Sequence, residues 1–180
     1  MLRDVQRMAG VSNSAAYRHY ADRDALLAAV TEYAETRLAD TMTAALGTVS
    51  NRGPKTRRAV ARFRATGQGY IDFALAEPGL FRTAFAAADP SRGGHSRPAD
   101  DAADNVRDHH PFQILIRCID DLVATGVLSP DRRDGLDEAA WAAVHGLSTL
   151  FLDGPLSELD AGRKQLITDR LLDVMEGGLK

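Results

Sequence analysis

Few side chains in this sequence of 180 residues could carry out covalent or metal chemistry. Cys118 is the single cysteine, so neither a disulfide within the chain nor a zinc site built on thiolates is possible. Nothing in the sequence places Cys118 beside His145, and no third group that would orient such a pair is evident. The adjacent His109 and His110 would point to different sides of a helix, which disfavours a metal site. With no glycine-rich phosphate loop and no triad, the sequence predicts no enzyme, no metal and no cofactor.

The composition is that of an ordinary globular protein. Hydrophobic residues make up 44% and charged residues 26%, and the net charge is -3. No apolar run approaches the roughly 20 residues that a membrane-spanning helix needs, and the first residues lack the apolar core of a signal peptide. We therefore expect a reduced, cytoplasmic protein. The charge excludes a chain that is basic all over, but it allows nucleic-acid binding by one local surface.

The periodicity of apolar residues predicts an all-α fold, because the long segments repeat with a period of 3.6. Glycine, serine, asparagine and proline between Gly47 and Pro54 predict a boundary between residues 1–47 and residues 48–180. A polar loop is expected over residues 88–108. The predicted helices are Leu2–Met8, Ser12–Tyr20, Arg23–Leu46 with Asp22 as its cap, Lys55–Ala76, Leu80–Ala87, Pro111–Thr125 closed by a Schellman-type turn at Gly126, Leu136–Leu152 and Asp160–Glu176.

Residues 2–20 have the pattern of a helix-turn-helix. Two short helices are joined by the turn Ala9-Gly10-Val11-Ser12, in which Gly10 can adopt the left-handed conformation. The second helix displays small and hydrogen-bonding side chains. Such a helix fits a major groove, with its first residues at base edges and the others at phosphates.

Four short motifs give the sequence its resemblance to a known family. They are Arg3-Asp4-Val5, Ala9-Gly10-Val11-Ser12, Tyr17-Arg18-His19-Tyr20 and Asp24-Ala25-Leu26-Leu27. In this order and spacing they resemble the DNA-binding signature of the TetR family of bacterial transcriptional regulators. The later segment from Trp141 through His145-Gly146-Leu147 resembles the Trp-His-Gly signature of one group of TetR-type ligand-binding domains. With Glu77-Pro78-Gly79-Leu80-Phe81, the likeness extends over most of the chain.

The resemblance implies a set of DNA-contacting residues. Ser12 is first the N-cap of the second helix, and the same hydroxyl could touch a phosphate. Arg23 matches a family lysine at the start of the third helix, where a cation and the helix N-terminus can hold a phosphate together. Tyr20 is assigned to the core. The residues expected at DNA are Ser12, Ser14, Tyr17, His19 and Arg23.

The resemblance also implies a helix before Leu2, which completes the three-helix DNA-binding domain in family members. As written, the sequence begins inside the motif, so we expect either a truncated chain or a start that was placed too late. Residues 1–24 hold four arginines against three aspartates. Because a DNA-binding surface is normally more basic, the missing helix is expected to supply the difference.

A basic run follows the predicted boundary, with no acidic residue between Asp40 and Asp72. One interpretation is a solvated helix face, and the other is a secondary DNA contact or a surface for an acidic partner. The cations of this run are Arg52, Lys55, Arg57, Arg58, Arg62 and Arg64.

A regulatory helical domain needs a cavity, and aromatic residues on apolar faces are the ones most able to line it. Most of them also suit a plain hydrophobic core, and an interior histidine is the other interpretation of His145. An aromatic-lined, weakly charged cavity favours an apolar or amphipathic small molecule. The expected effector-binding residues are Tyr70, Phe73, Phe81, Phe85, Phe112, Cys118, Trp141 and His145.

The last two predicted helices favour a homodimer. Ala139, Ala142, Ala143 and Gly146 form a face of small residues, and the final helix offers an apolar face of its own. Two such helices from each of two copies would make a four-helix interface. The alternative is that both faces are buried within one protomer.

Together these patterns predict a TetR-like regulator, more typically a repressor, that binds a palindromic operator as a dimer and is released by an effector. Two alternatives remain open. The chain could be a ligand-binding dimer that lost DNA binding and acts as a sequestering or interaction protein. It could also be a small all-α enzyme that uses the aromatic cavity.

Overall fold

The structure, a computed structural model, describes Gly10, residues 19–86 and residues 110–179, apart from the side chain of residue 86. Within these ranges it is helical with no β-strand, which confirms the predicted fold class for this part of the chain. A short 3₁₀ turn spans Pro130–Arg132. The α-helices are α1 (Arg23–Gly47), α2 (Lys55–Ala76), α3 (Pro78–Ala86), α4 (His110–Ala124), α5 (Leu136–Leu152) and α6 (Ala161–Gly177).

Helix α1 begins where the sequence predicts. The Asp22 carboxylate accepts a hydrogen bond of 2.8 Å from the backbone N–H of Ala25, which satisfies one of the free donors of the first turn. Tyr33 belongs to the predicted apolar stripe, yet 55% of it is exposed. The buried part of α1 lies in its C-terminal half, at Ala34, Leu38, Ala39 and Met42.

The break between α2 and α3 is shorter than predicted. Helix α2 ends at Ala76, and α3 already begins at Pro78 rather than at Leu80. Proline is tolerated in the first turn of a helix because its missing N–H would have no partner there. The sequence pattern therefore located the break correctly, but Pro78 starts the next helix instead of extending the stop.

The end of α4 has the predicted Schellman geometry. Gly126 has a φ of +74°, and its N–H donates to the carbonyl of Val123 at 3.0 Å. The N–H of Val127 donates to the carbonyl of Leu122 at 2.9 Å. These two bonds satisfy carbonyls that the helix end would otherwise leave free.

Helix α2 lies at the centre of the described helices and packs against α1, α3, α4, α5 and α6. It approaches α1 closely at Gly69, where an added Cβ would lie 3.0 Å from the Cα of Met42. The core has two clusters, one around Tyr70 and one around Phe63, and the partly buried Trp141 packs against both. None of the described helices is long and apolar enough to cross a membrane.

Several predicted elements fall on residues that the structure does not describe. The two helices of the helix-turn-helix lie almost entirely there, as does the polar loop over residues 88–108. Gly10 itself is described, and its φ of +68° is the left-handed conformation that the predicted turn requires.

Candidate functional site

Six of the eight predicted effector-binding residues form one continuous cluster of rings. They come from four helices that are distant in sequence, so the cluster is built by the fold and not by a local motif. Its buried members belong to the first core cluster on α2 and α3 and to the second core cluster on α4, and its half-buried members lie on α3 and α5. This ring cluster consists of Tyr70 on α2, Phe81 and Phe85 on α3, Phe112 on α4, and Trp141 and His145 on α5.

The rings contact one another at the distances typical of aromatic pairs. The centroids of Phe85 and His145 are 4.7 Å apart in an edge-on arrangement, and Phe81 stacks on His145 at 5.4 Å. Phe112 meets Trp141 edge-on at 6.0 Å, which joins α4 to the cluster. Such pairs contribute about 0.5–1.5 kcal/mol each beyond the area that they bury. His145 thus packs against the rings of α3 and is only partly exposed to solvent.

A chain of hydrogen bonds runs through the polar atoms of the cluster. Trp141 Nε1 donates to the hydroxyl oxygen of Tyr70 at 3.3 Å, and that hydroxyl lies 2.8 Å from Nδ1 of His145. The indole nitrogen can only donate, so the phenol oxygen accepts from it. The phenol proton has no other acceptor among the described residues, and we assign it to Nδ1. The neutral His145 ring then carries its own proton on Nε2.

Burial keeps both titratable groups of this relay neutral. It raises the pKa of the Tyr70 phenol well above its usual range, and it lowers the pKa of His145. At neutral pH the His145 ring is therefore uncharged, with Nε2–H as a donor on the side opposite Tyr70. No described residue accepts a hydrogen bond from that nitrogen. Among the described residues, the cluster consequently offers apolar ring surface and one hydrogen-bond donor that has no partner.

The other two predicted effector residues are placed differently. Phe73 is buried in the first core cluster beside Tyr70 and shares no ring contact with the six among the described residues. Cys118 is buried on α4 with Arg62 and Asp121 as charged neighbours, and burial raises its pKa to about 11. The thiol is therefore protonated at neutral pH, which makes it a poor nucleophile and a packing residue.

Of the residues expected at DNA, the structure describes two. His19 is exposed, and so is Arg23, whose guanidinium lies 3.8 Å from the carboxylate of Asp24. Ser12, Ser14 and Tyr17 lie outside the described residues. Tyr20, which the sequence assigned to the core, is half-buried.

The basic run divides into two groups with different surroundings. Arg64 lies against α6, where its guanidinium contacts the carboxylates of Asp169, Asp173 and Glu176 at 3.2, 2.9 and 3.0 Å. It therefore holds α2 and α6 together, and the solvated-face interpretation is wrong for this residue. Arg52, Lys55 and Arg57 are exposed, and Arg58 and Arg62 are partly buried.

The hydrogen bonds that join Trp141, Tyr70 and His145 could not be predicted as a unit from the sequence. Trp141 and His145 are four residues apart, so their presence on one helix face was predictable. Tyr70 is 75 residues from His145, and only the packing of α2 on α5 brings the two together. Among the described residues no group of three or more histidine, cysteine or acidic side chains could hold a metal ion.

Comparison with known proteins identifies the family. Residues 63–175 match the family described as "Tetracyclin repressor-like, C-terminal domain", and this match covers more than half of the chain. The chain belongs to the TetR family. The membership predicted from the sequence motifs is thereby confirmed, and the ring cluster lies within the matched TetR-like domain. No curated protein matches the chain.

A solved structure supports the same fold for this TetR family member. It is described as a protein with unknown function from Rhodococcus sp. RHA1. The two chains are 26% identical, and their TM-score is 0.73. The similarity covers 99% of this chain and 84% of the Rhodococcus chain, so it includes both core clusters.

Proposed function

We propose that this TetR family member is a DNA-binding transcriptional regulator of the cytoplasm, a repressor that leaves its operator when a small molecule binds. The observation that carries this proposal is the ring cluster within the TetR-like domain, with its neutral His145 and the unused donor at Nε2. An effector would release DNA only if it bound more tightly to a conformation that fits the operator poorly.

The chemistry of the cluster favours one class of effector. Rings of Phe81, Phe85 and Trp141 suit an apolar or aromatic body, and the Nε2–H of His145 suits one neutral hydrogen-bond acceptor such as a carbonyl oxygen. A charged effector would lose its hydration without finding an opposite charge among these side chains. We therefore propose an amphipathic, uncharged molecule that carries a single acceptor oxygen.

Trp141 makes the effector test direct, because it is the only tryptophan of the chain and lies in the proposed site. Acetophenone and ethylbenzene, which differ in the acceptor oxygen, are titrated while the tryptophan emission is recorded. We expect acetophenone to bind more tightly by about three- to tenfold, the worth of one neutral hydrogen bond.

The substitution His145→Phe keeps a ring but removes the donor, so it should abolish the preference for acetophenone. In the His145→Phe variant the Tyr70 phenol has lost its acceptor. The double substitution Tyr70→Phe with His145→Phe removes this phenol as well and should give the same result. Retention of the preference in both variants would contradict the role of His145. Absence of any emission change with a broad panel of neutral aromatic and aliphatic carbonyl compounds would count against an effector site here.

We also propose a homodimer built on α5 and α6. Ala139 and Ala142 are exposed, a Cβ added at Gly146 would meet no other atom, and Leu150 on the same face is 41% exposed. On α6, 44% of Leu166 and 73% of Val174 are exposed. A row of small residues beside exposed large apolar ones is typical of a surface that another copy covers.

The dimer is tested by light scattering during size-exclusion chromatography. The proposal predicts twice the chain mass of 19.4 kDa. Val174→Arg should give the monomer mass with the helical content unchanged. Tyr33→Arg is the matched control, because Tyr33 is also an exposed large side chain but lies on α1, and this variant should stay dimeric. A monomeric unmodified chain would overturn the proposal.

DNA binding is tested by fluorescence anisotropy with DNA from the region upstream of the gene, at two salt concentrations. The 180-residue chain is compared with a form extended upstream in frame. Preference of the extended form for this DNA over random DNA, lost on addition of the effector, is the expected result. If neither form prefers any DNA in a wider operator search while the effector still binds, a sequestering dimer without DNA binding replaces the repressor.

A further inference from the structure

A concave surface lies at the other end of α2, apart from the ring cluster. It is a cleft of about 310 Å³ between the connection that follows α1, the first turns of α2 and the last turn of α4. We call it the basic cleft, and the side chains that matter for its chemistry are Lys55, Arg58, Arg62, Asp121 and Thr125. None of its lining residues belongs to the ring cluster.

The charge of the basic cleft is unbalanced. Lys55, Arg58 and Arg62 follow one another at i, i+3 and i+7, so they share one face of α2. Asp121 is the single acidic residue among the described residues of the lining, and it leaves two of their positive charges uncompensated. The first turn of α2 contains no acidic side chain, and its free N–H groups add partial positive charge at the same end.

The cations of the cleft retain unused donors. Lys55 is exposed and has no described partner. Arg58 uses one nitrogen to donate to the carbonyl of Asn51 at 2.6 Å, which positions its guanidinium. The Nε atom of Arg62 is buried without a hydrogen-bond partner among the described residues, because the nearest carboxylate oxygen, of Asp121, lies 3.6 Å away.

Arg64 lies on the same helix but has a structural role, so it can be compared with the arginines of the cleft. It lies two residues beyond Arg62, and three carboxylates of α6 surround it. The arginines of the cleft have no such set of acids. Their donors are left for an anion that the described chain does not supply.

Shape and position indicate the kind of anion. A volume of 310 Å³ is at the lower end of the range for small-molecule sites, and a concave surface suits a compact ligand. The cleft follows the C-terminal end of α1, about 36 Å along that helix from Arg23, so it is far from this residue expected at DNA. Guanidinium groups match the oxygens of a phosphate with paired hydrogen bonds.

We propose that the basic cleft binds a small phosphomonoester dianion. In this site Arg62 and Arg58 hold the phosphate oxygens, and Lys55 adds charge at the open edge. Asp121 keeps Arg62 pointed at the cleft without saturating it. The proposal is independent of the effector proposed for the ring cluster, because the two sites share no residue.

The test is a titration of the ¹⁵N-labelled chain with glycerol phosphate and with inorganic phosphate, at an ionic strength held constant with sodium chloride. Glycerol without phosphate is the control ligand. We expect saturable shifts of the backbone amides between Val49 and Arg62, with the emission of Trp141 unchanged. Absence of saturable shifts, or shifts centred on the ring cluster, would overturn the proposal.

Variants distinguish a specific binding site from nonspecific electrostatic attraction. We expect Arg62→Gln to weaken the binding of glycerol phosphate by about tenfold and Lys55→Gln to weaken it by about threefold, because hydrogen bonds to charged groups are the stronger ones. Arg57→Gln is the matched control: it removes the same charge from an exposed residue of the same helix that does not line the cleft. Equal weakening by Arg57→Gln and Lys55→Gln would contradict a specific site. Shifts of these amides by duplex DNA but not by glycerol phosphate would replace it with a nucleic-acid contact.

Discussion

The two halves of α2 meet opposite surroundings. The C-terminal half is packed into the protein, with Gly69, Tyr70, Ile71 and Phe73 all buried. The N-terminal half carries the cations of the basic cleft on one face, and on its other face Ala59 and Phe63 are buried in the second core cluster. One regular helix therefore provides a neutral, shape-defined surface at one end and a charged surface at the other.

The difference shows which forces fix each region. In the buried half, atoms have no room to move, so a substitution there changes the free energy of unfolding. On the cleft face of the N-terminal half, charges are separated by water and contribute little to folding, so a substitution there changes what the surface binds. The following four substitutions test this contrast, from the largest expected effect to the smallest.

The largest effect is expected from Gly69→Val. The first carbon of the new side chain would lie 3.0 Å from the Cα of Met42 and 3.1 Å from the Cβ of Ala45, so α1 and α2 would have to separate. We expect a loss of about 3 kcal/mol in the free energy of unfolding by urea denaturation. Gly79→Val is the control, because a Cβ at Gly79 meets no other atom. A loss at Gly69 no larger than at Gly79 would contradict the close approach.

Removal of the phenol oxygen by Tyr70→Phe should have the next largest effect. It leaves the indole N–H of Trp141 and Nδ1 of His145 without their partner, at a cost of about 2 kcal/mol. Tyr33→Phe, at a tyrosine that is 55% exposed, should change the free energy of unfolding by less than about 0.5 kcal/mol. Equal values for the two variants in urea denaturation would show that the relay contributes nothing to folding.

Arg64→Gln tests the transition between the two halves of the helix. The side chain is 30% exposed and faces three carboxylates, so we expect a loss of about 1 kcal/mol after allowance for solvent screening. The loss should shrink between about 0.05 M and about 1 M sodium chloride, because salt screens partly exposed charges.

The control for Arg64 is Arg170→Gln. Arg170 is 76% exposed and reaches one carboxylate at 3.4 Å, so its loss should be close to zero. A loss at Arg64 that does not respond to salt would point to lost packing of the side chain and not to charge.

The smallest effect is a dependence of stability on pH. Burial lowers the pKa of His145, so the folded chain binds this proton more weakly than the unfolded chain, whose histidine has a pKa near 6.5. The contribution is complete above about pH 6.5 and is lost as the pH falls from there through the lowered value. The slope from one such group cannot exceed about 1.4 kcal/mol per pH unit. His145→Gln should flatten the curve between about pH 7 and pH 5, and an unchanged curve would exclude His145 as its cause.

The positions of the helices were predicted better from the sequence than the contacts between them. The apolar period of 3.6 located α1, α2 and α5 to within one residue, and Gly126 marked the end of α4 because its left-handed conformation is nearly specific to glycine. Among the described helices, the starts of α4 and α6 differ from the prediction by one residue, and the start of α3 differs by two, since proline can both stop a helix and begin one.

The candidate site was harder to predict, because periodicity tells which face is apolar and not which face it meets. Cys118 was grouped with the ring residues on this basis, yet the fold places it beside Arg62 and Asp121. In the same way, the basic run could not be divided into Arg64 and the cleft residues from sequence alone. The partners that distinguish them are in α6 and α4, about sixty to more than a hundred residues further along the chain.

The close approach at Gly69 makes Met42 the point about which α1 would tilt. At Met42 the backbones of the two helices meet, and no flexible side chain lies between them to absorb a displacement. The helix extends from there to Arg23 over about 28 Å, with no buried residue before Ala34, so a tilt of about 5° would swing that end by about 2.5 Å. A slight repacking of the core around α2 is thereby magnified at the end of α1 that adjoins the predicted helix-turn-helix.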